Sequence, residues 1–184
     1  MLNLWGAYRM FARTLFLTAA SIAATSAMPA AASAEVLKFH VALDGHYGPE
    51  PTGSPATGTA KVQVDTVTHR VSVDLDVNGI TIDDLWDTLV RAPIGPIHFH
   101  KYANAAGGDS VLALPLPFGP NYHAEKWGLK VRMKNYDYVA GVTLVKSTLS
   151  FDDFVAGMKS GLIVLNIHTD KFNPGEISGL VVPD

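Results

Sequence analysis

Three histidines are the residues of this sequence whose types and spacing are best suited to chemistry. His98 and His100 are separated by one residue in the stretch IGPIHFH, and His168 ends the apolar stretch LIVLNIH. Neutral imidazoles bind copper and zinc, and Cu(II) lies above Zn(II) in the general order of affinity for such ligands. The three histidines therefore predict either one metal site, with copper favoured, or three structural residues that hydrogen-bond nearby backbone.

Strand geometry decides whether these rings can meet. Side chains two residues apart in a strand point to the same side, about 7 Å apart along the chain, so His98 and His100 share one face and Phe99 faces the other way. His168 likewise lies on the face opposite Ile167. If the two strands are neighbours, the imidazoles converge. We then expect one site on the outer edge of the fold, with three protein ligands and one open position.

Three further residues are candidates for supporting roles at this site. His123, in FGPNYHAEKW, is either a fourth ligand that reaches over the site or a plain loop histidine. Asp170 follows His168 by two residues and could orient an imidazole, because metal-binding histidines commonly donate their second N–H to a carboxylate or carbonyl. Glu176 lies in a PGE turn, where we expect it to bond backbone amides or a histidine on the same edge.

Sequence signatures of other chemistry are absent. No GxSxG, P-loop or dinucleotide-binding glycine pattern occurs in the chain. Cysteine is also absent, which excludes thiol chemistry and disulfides. The carboxylate pairs 83–84 and 152–153 each begin a predicted helix, where negative charge complements the helix dipole. We therefore predict no catalytic residue and favour a binding or structural role over an enzyme.

The segments that must position the histidines show mainly the period-two pattern of β-strands. Apolar and polar residues alternate in EVLKFHVAL and KVQVDTVTHRVSVDLDV, and helical spacing occurs in ITIDDLWDTLV and STLSFDDFVAGMKSG. Residues 118–140 have no clear period, and no element is assigned there. We predict an all-β sandwich with one or two short helices in its connections. The predicted core residues are Leu37, Phe39, Val41, Val73, Leu75, Ile97, Phe99, Leu165 and Ile167.

The first 34 residues have the features of a signal peptide. Arg9 and Arg13 form a basic start, an apolar run follows, and Ala32-Ser33-Ala34 is a small-x-small cleavage pattern. We expect residues 35–184 to form one domain, secreted or periplasmic, with no membrane span after cleavage. Without the two arginines, 12 basic residues face 17 acidic ones, a net charge of −5. An acidic domain without basic clusters is not expected to bind nucleic acid.

Four stretches of the sequence resemble, in order, the CHRD domain, a module named for its occurrence in chordin and common in exported bacterial proteins. They are FHVALDG, PTGSPATGTAKVQVD, IGPIHFH and LNIHTDKFNPGEISGLV, and the last is the most specific. The resemblance covers roughly residues 36–182. It implies an immunoglobulin-like β-sandwich and implies no known reaction.

The order of the histidines is also similar to the copper-ligand layout of Cu/Zn superoxide dismutases, which are β-sandwiches too. GEISGLV contains no arginine that could steer an anion toward copper, so we expect little or no dismutase activity. Three functions remain open. The first is a binding or structural module for an unknown protein or small ligand. The second is a copper-binding metalloprotein, and the third is a protein-interaction module that engages its partner through a sheet edge.

Overall fold

The structure is a computed structural model that describes residues 35–47, 51–104 and 107–184. The predicted signal peptide, residues 1–34, lies outside the described residues. The described part of the chain is mostly β-structure, which confirms the all-β prediction. It also contains three short α-helices, one more than the upper limit expected from the sequence.

The strands form one curled antiparallel sheet, with the order β5-β4-β8-β9-β1-β2-β3-β7-β6. Each strand alternates buried and exposed residues where one face covers the core, as in β1, β2 and β3. The strand bounds are β1 Val36–Asp44, β2 Thr57–Asp65, β3 Arg70–Asn78, β4 Ile97–Asn104, β5 Gly107–Leu116, β6 Tyr122–Glu125, β7 Gly128–Asp137, β8 Ile163–Ile167 and β9 Ile177–Pro183.

The helices lie in the connections between strands. Their bounds are α1 Asp87–Val90, α2 Tyr138–Leu144 and α3 Phe151–Lys159, and a 3-10 turn spans Ile82–Asp84. The prediction for α3 is confirmed: Ser150 is its N-cap and accepts a hydrogen bond of 3.1 Å from the Asp153 N–H. Gly161 follows the helix with a φ of 68°, a conformation that favours glycine after a helix end.

The segment ITIDDLWDTLV differs from its prediction as one helix. It forms the 3-10 turn and the separate helix α1, because Leu85 between them is extended and pairs with Thr169 in an isolated β-bridge. Tertiary pairing thus overrides the helical spacing of the apolar residues. The unassigned region 118–140 contains β6, β7 and the start of α2.

The predicted core is largely confirmed. Eight of the nine residues are at most 2% exposed, and Leu37 is only partly buried against the same cluster. Phe99 of β4 is fully buried and meets Phe154 of α3 edge to face, with ring centroids 6.1 Å apart. The opposite face of β4, which carries His98, is therefore held in place by a rigid packing contact beneath it.

Strands β4 and β8 are direct neighbours, and their pairing positions the candidate site. The antiparallel register places His98 opposite Asn166 and His100 opposite Val164. The His168 N–H extends the pairing beyond the end of β8 by donating to the Pro96 carbonyl over 2.9 Å. Residues from two distant parts of the sequence therefore share one face of the sheet.

Candidate metal centre

The structure brings His98, His100 and His168 together. One ring nitrogen of each residue lies within 4.8 Å of those of the other two. The ring centroid of His98 lies 4.8 Å from that of His100 and 4.5 Å from that of His168. The convergence that strand alternation predicts is thus present, and we refer to these residues as the three-histidine cluster.

The cluster is buried, and the prediction that it lies on an outer edge is wrong. His98 is 2% exposed and His168 6%, whereas His100 is partly exposed. Strand β4 lies between β5 and β8, so it is not an edge of the sheet. Trp86 also approaches from the connection before α1. Its backbone N–H donates to the His168 carbonyl over 3.1 Å, and the centroids of the two rings are 6.4 Å apart.

Two of the rings are fixed by hydrogen bonds to backbone carbonyls. His98 Nδ1 lies 3.1 Å from the Gly95 carbonyl oxygen, and His168 Nδ1 lies 2.7 Å from that of Asn173. A carbonyl oxygen only accepts, so in both rings the proton resides on Nδ1 and the neutral ring carries its lone pair on Nε2. Metal-binding histidines are held in the same way, with one nitrogen donating to the protein and the other facing the metal.

The third ring is held more loosely. His100 Nδ1 lies 3.5 Å from Ser110 Oγ on the neighbouring strand β5. The serine oxygen can accept the Nδ1 proton, which again leaves Nε2 as the ligand atom. His100 is also the least buried of the three histidines, so it defines the side of the cluster that is closest to solvent.

His168 Nε2 is a buried nitrogen without a hydrogen-bond partner among the described residues. A buried polar atom that lacks a partner costs about 1–3 kcal/mol, and such atoms are rare in folded proteins. A metal ion in the cluster would use the lone pair of this nitrogen. The arrangement therefore suits an ion better than it suits three purely structural histidines.

The electrostatics keep the rings in the form that binds metals. Burial lowers the pKa of His98 to about 3, with further contributions from the neighbouring His168 and His100. Burial, together with the proximity of His168, lowers the pKa of His100 to about 4. Burial also lowers the pKa of His168, and the hydrogen bond to Asn173 opposes that shift. All three imidazoles are neutral at pH 7, as metal ligation requires.

The distances are close to those of a metal site. Two nitrogens that each lie about 2.0–2.1 Å from one ion are at most about 4.2 Å apart. The ring nitrogens of the cluster lie within 4.8 Å of one another. Ligand nitrogens of a tetrahedral ion are about 3.4 Å apart, so the rings would move closer together by up to about 1.4 Å to bind an ion. The donor set of three neutral imidazoles fits copper or zinc and leaves at least one coordination position open.

The supporting residues inferred from the sequence lie elsewhere or act differently. His123 lies in β6, is exposed, and is not part of the group of three. Within the described residues, the Asp170 carboxylate makes its hydrogen bond to backbone and not to an imidazole: Oδ1 accepts from the Asp87 backbone N–H at the start of α1, over 3.1 Å. The role expected of Asp170 belongs instead to the Asn173 carbonyl, because the turn after His168 directs backbone oxygen toward the ring.

Glu176 binds two hydroxyl groups rather than amides or a histidine. Its carboxylate accepts 2.6 Å hydrogen bonds from Ser54 Oγ and from Thr169 Oγ1. Its own N–H donates to the Ile167 carbonyl over 2.7 Å. Ser54 and Thr169 are both buried, and the carboxylate is the acceptor for their hydroxyl protons, while each hydroxyl oxygen also accepts from a nearby backbone N–H. Glu176 thereby ties the β1–β2 connection to the loop that follows His168.

The sequence analysis missed Asn166 as a member of this region. Asn166 is 7% exposed and lies in the middle of β8, a strand that is buried at every residue. The sequence did contain a signal for this position: Asn166 and His168 are two residues apart, so in a strand their side chains share a face. A lone asparagine within LIVLNIH is also unusual for a buried strand.

The fold and the cluster define a class: an all-β domain with a buried group of three neutral imidazoles. Residues 39–181 match the CHRD domain, so the chain belongs to the CHRD domain family. The matched range contains the whole three-histidine cluster. No curated protein and no solved structure matches the chain. Within the described residues, no helix is long and apolar enough to cross a membrane.

Proposed function

We propose that this chain is an exported binding module that holds one divalent metal ion, copper in preference to zinc, on His98, His100 and His168. Membership of the CHRD domain family supports the coarser statement, a binding or structural module. The proposed export is supported by the basic start, apolar run and small-residue cleavage pattern of residues 1–34. The metal is supported by the chemistry of the cluster.

One observation carries the metal proposal: Nε2 of His168 is buried and has no hydrogen-bond partner among the described residues. It lies in a group where two of the three rings have their Nδ1 proton fixed by a backbone carbonyl. A structural histidine in a core normally uses both nitrogens or leaves one exposed to water. Here the second nitrogen is buried and has no partner among the described residues, and its ring stacks on that of His98 with the centroids 4.5 Å apart.

The proposed preference for copper follows from the ligand type. Imidazole nitrogens bind both ions, and the general affinity order places Cu(II) above Zn(II) for the same site. Histidine ligands supply no negative charge, so the bound ion would keep its full charge within the fold. We propose binding rather than turnover, and the expected lack of dismutase activity stays a prediction.

Calorimetric titration tests the proposal. The protein is purified without a nickel column, freed of metal by a chelator, and titrated with Cu(II) and then with Zn(II). We expect one ion per chain and tighter binding of Cu(II). The variants His98→Ala and His168→Ala should each abolish stoichiometric binding, because two remaining imidazoles do not make a comparable site.

Two matched controls separate the cluster from surface histidines. His40 is exposed and its ring pairs with Asp184 at the surface, so His40→Ala should leave binding unchanged. His123→Ala tests the fourth-ligand hypothesis and should also bind normally. Circular dichroism establishes that each variant is folded. Absence of binding in the unmodified protein, or binding that survives both cluster variants, would refute the proposal.

A further inference from the structure

Asn166 faces the three-histidine cluster from the neighbouring strand. It lies directly opposite His98 in the β4–β8 register and opposite Ser178 in the β8–β9 register. Side chains of directly opposed residues project to the same side of a sheet, with Cβ atoms about 4.5–5.5 Å apart. Asn166 is therefore a direct cross-strand neighbour of His98 on the face that carries the cluster, as Pro115 is on the other side.

The turn at Gly175 brings Asn166 and His168 beneath the same piece of backbone. A Cβ atom added to Gly175 would lie 3.9 Å from Asn166 Nδ2 and 3.9 Å from His168 Cε1. Gly175 has a φ of 131°, which other residues rarely adopt. The absence of a side chain at this position preserves the space above both groups.

The amide oxygen of Asn166 has no hydrogen bond to the part of the chain that the structure describes. Asn166 is 7% exposed, and its Oδ1 is buried without a hydrogen-bond partner among the described residues. Asn166 and His168 are two residues apart and share a face. Asn166 Oδ1 and His168 Nε2 are both buried atoms without a hydrogen-bond partner among the described residues. A hydrogen-bond donor near Asn166 and an ion near His168 would satisfy both.

We propose that Asn166 selects the exogenous ligand at the open coordination position of the metal. Its Oδ1 accepts a hydrogen bond from that ligand, so the site favours a neutral ligand that carries an O–H, such as water. An anion without a hydrogen, such as azide, would place its lone pairs against those of the amide oxygen. This inference rests on the proposed metal site and names the residue that sets its ligand preference.

Azide binding to the Cu(II)-loaded protein tests the inference. The affinity is measured from the ligand-to-metal absorption band as azide is added to the unmodified protein, to Asn166→Leu and to Asn166→Thr. Leucine keeps the branching at Cγ and removes the acceptor, and threonine offers a hydroxyl that can donate to azide. We expect azide to bind about tenfold more tightly to both variants, which corresponds to about 1.4 kcal/mol.

Ser178→Ala is the matched control, because it alters the other polar neighbour of Asn166 and leaves the amide in place. Its azide affinity should equal that of the unmodified protein. Copper affinity, measured in parallel by calorimetry, should remain within about threefold in every variant, since the three imidazoles are untouched. Threonine is well suited to strands, so Asn166→Thr decides the question even if the leucine variant does not fold.

The outcomes are distinguishable. Unchanged azide affinity in a folded, copper-loaded Asn166 variant overturns the role of Asn166 and leaves the metal site intact. A loss of copper affinity of about a hundredfold or more would make Asn166 a metal ligand itself, which also overturns the inference. If the unmodified protein takes up no copper, both the metal site and the ligand preference are wrong.

Discussion

Lowering the pH from 7 to 5 should destabilise the metal-free protein through its buried histidines. The pKa of His98 is about 3 in the folded chain, against an ordinary value of 6.5. Between these two values the unfolded chain binds more protons than the folded one, so the free energy of unfolding falls as the pH falls. The loss begins near pH 6.5 and continues to about pH 4 for His100 and about pH 3 for His98.

The magnitude follows from linkage. Each histidine that protonates only on unfolding changes the stability by about 1.4 kcal/mol per pH unit below its unfolded pKa. Between pH 7 and pH 5 this amounts to about 2 kcal/mol for His98, and His100 contributes a similar amount. A total of about 4 kcal/mol is a large part of the 5–15 kcal/mol by which domains are typically stable. Most carboxylates are still ionised at pH 5, so the histidines dominate this window.

Urea unfolding at several pH values between 5 and 7 measures the effect. His98→Leu should reduce the slope of stability against pH by about one proton, or about 1.4 kcal/mol per pH unit. The control His46→Gln should leave the slope unchanged, because the His46 side chain is 80% exposed. A flat pH dependence in the unmodified protein, or an unaltered slope in His98→Leu, would refute the reasoning that burial keeps these rings neutral.

Three further predictions concern export and folding. Mass spectrometry of the exported protein should find Glu35 at its N-terminus after cleavage behind Ala34, and an intact residue 1 in that fraction would contradict the signal peptide. Phe99→Ala should lower the free energy of unfolding by about 3–5 kcal/mol, since Phe99 is fully buried, whereas a loss below about 1 kcal/mol would contradict its packing role. Ser150→Ala should cost about 1 kcal/mol in urea unfolding, because it removes the N-cap of α3, and no loss at all would show that the cap is dispensable.

Local patterns were sufficient to predict most strands and the shared face of the histidines. The alternation of side chains in a strand depends only on backbone geometry, so the sequence alone predicts that His98 and His100 share a face. The capped start of α3 is also a local signal, since Ser150 and Asp153 have the spacing of an N-terminal cap. In β7, Leu129, Val131 and Met133 alternate with basic residues, which is a regular strand pattern, but the irregular residues on both sides of it left region 118–140 unassigned.

The burial and hydrogen bonds of the cluster could not be predicted in this way. They depend on which strands flank β4 and on the path of the turn after His168. Neither follows from the spacing of apolar residues in the sequence. The Asn173 carbonyl holds the His168 ring because of the shape of that turn, whereas the nearby carboxylate of Asp170 is directed to α1. A backbone group has no signature in the sequence, so a rule based on side chains selected the wrong partner.

The position of the cluster in the chain gives a bound ion a consequence for folding. His98 lies in β4 and His168 directly follows the neighbouring strand β8, yet the two residues are 70 positions apart in the sequence. Under the proposed function, an ion held by both would bind the folded chain and not the unfolded one, because only folding brings the histidines together. The free energy of metal binding would then add to the stability of the fold. In a chain without cysteine, such an ion would join two distant parts of the sequence, as a disulfide does in many exported domains.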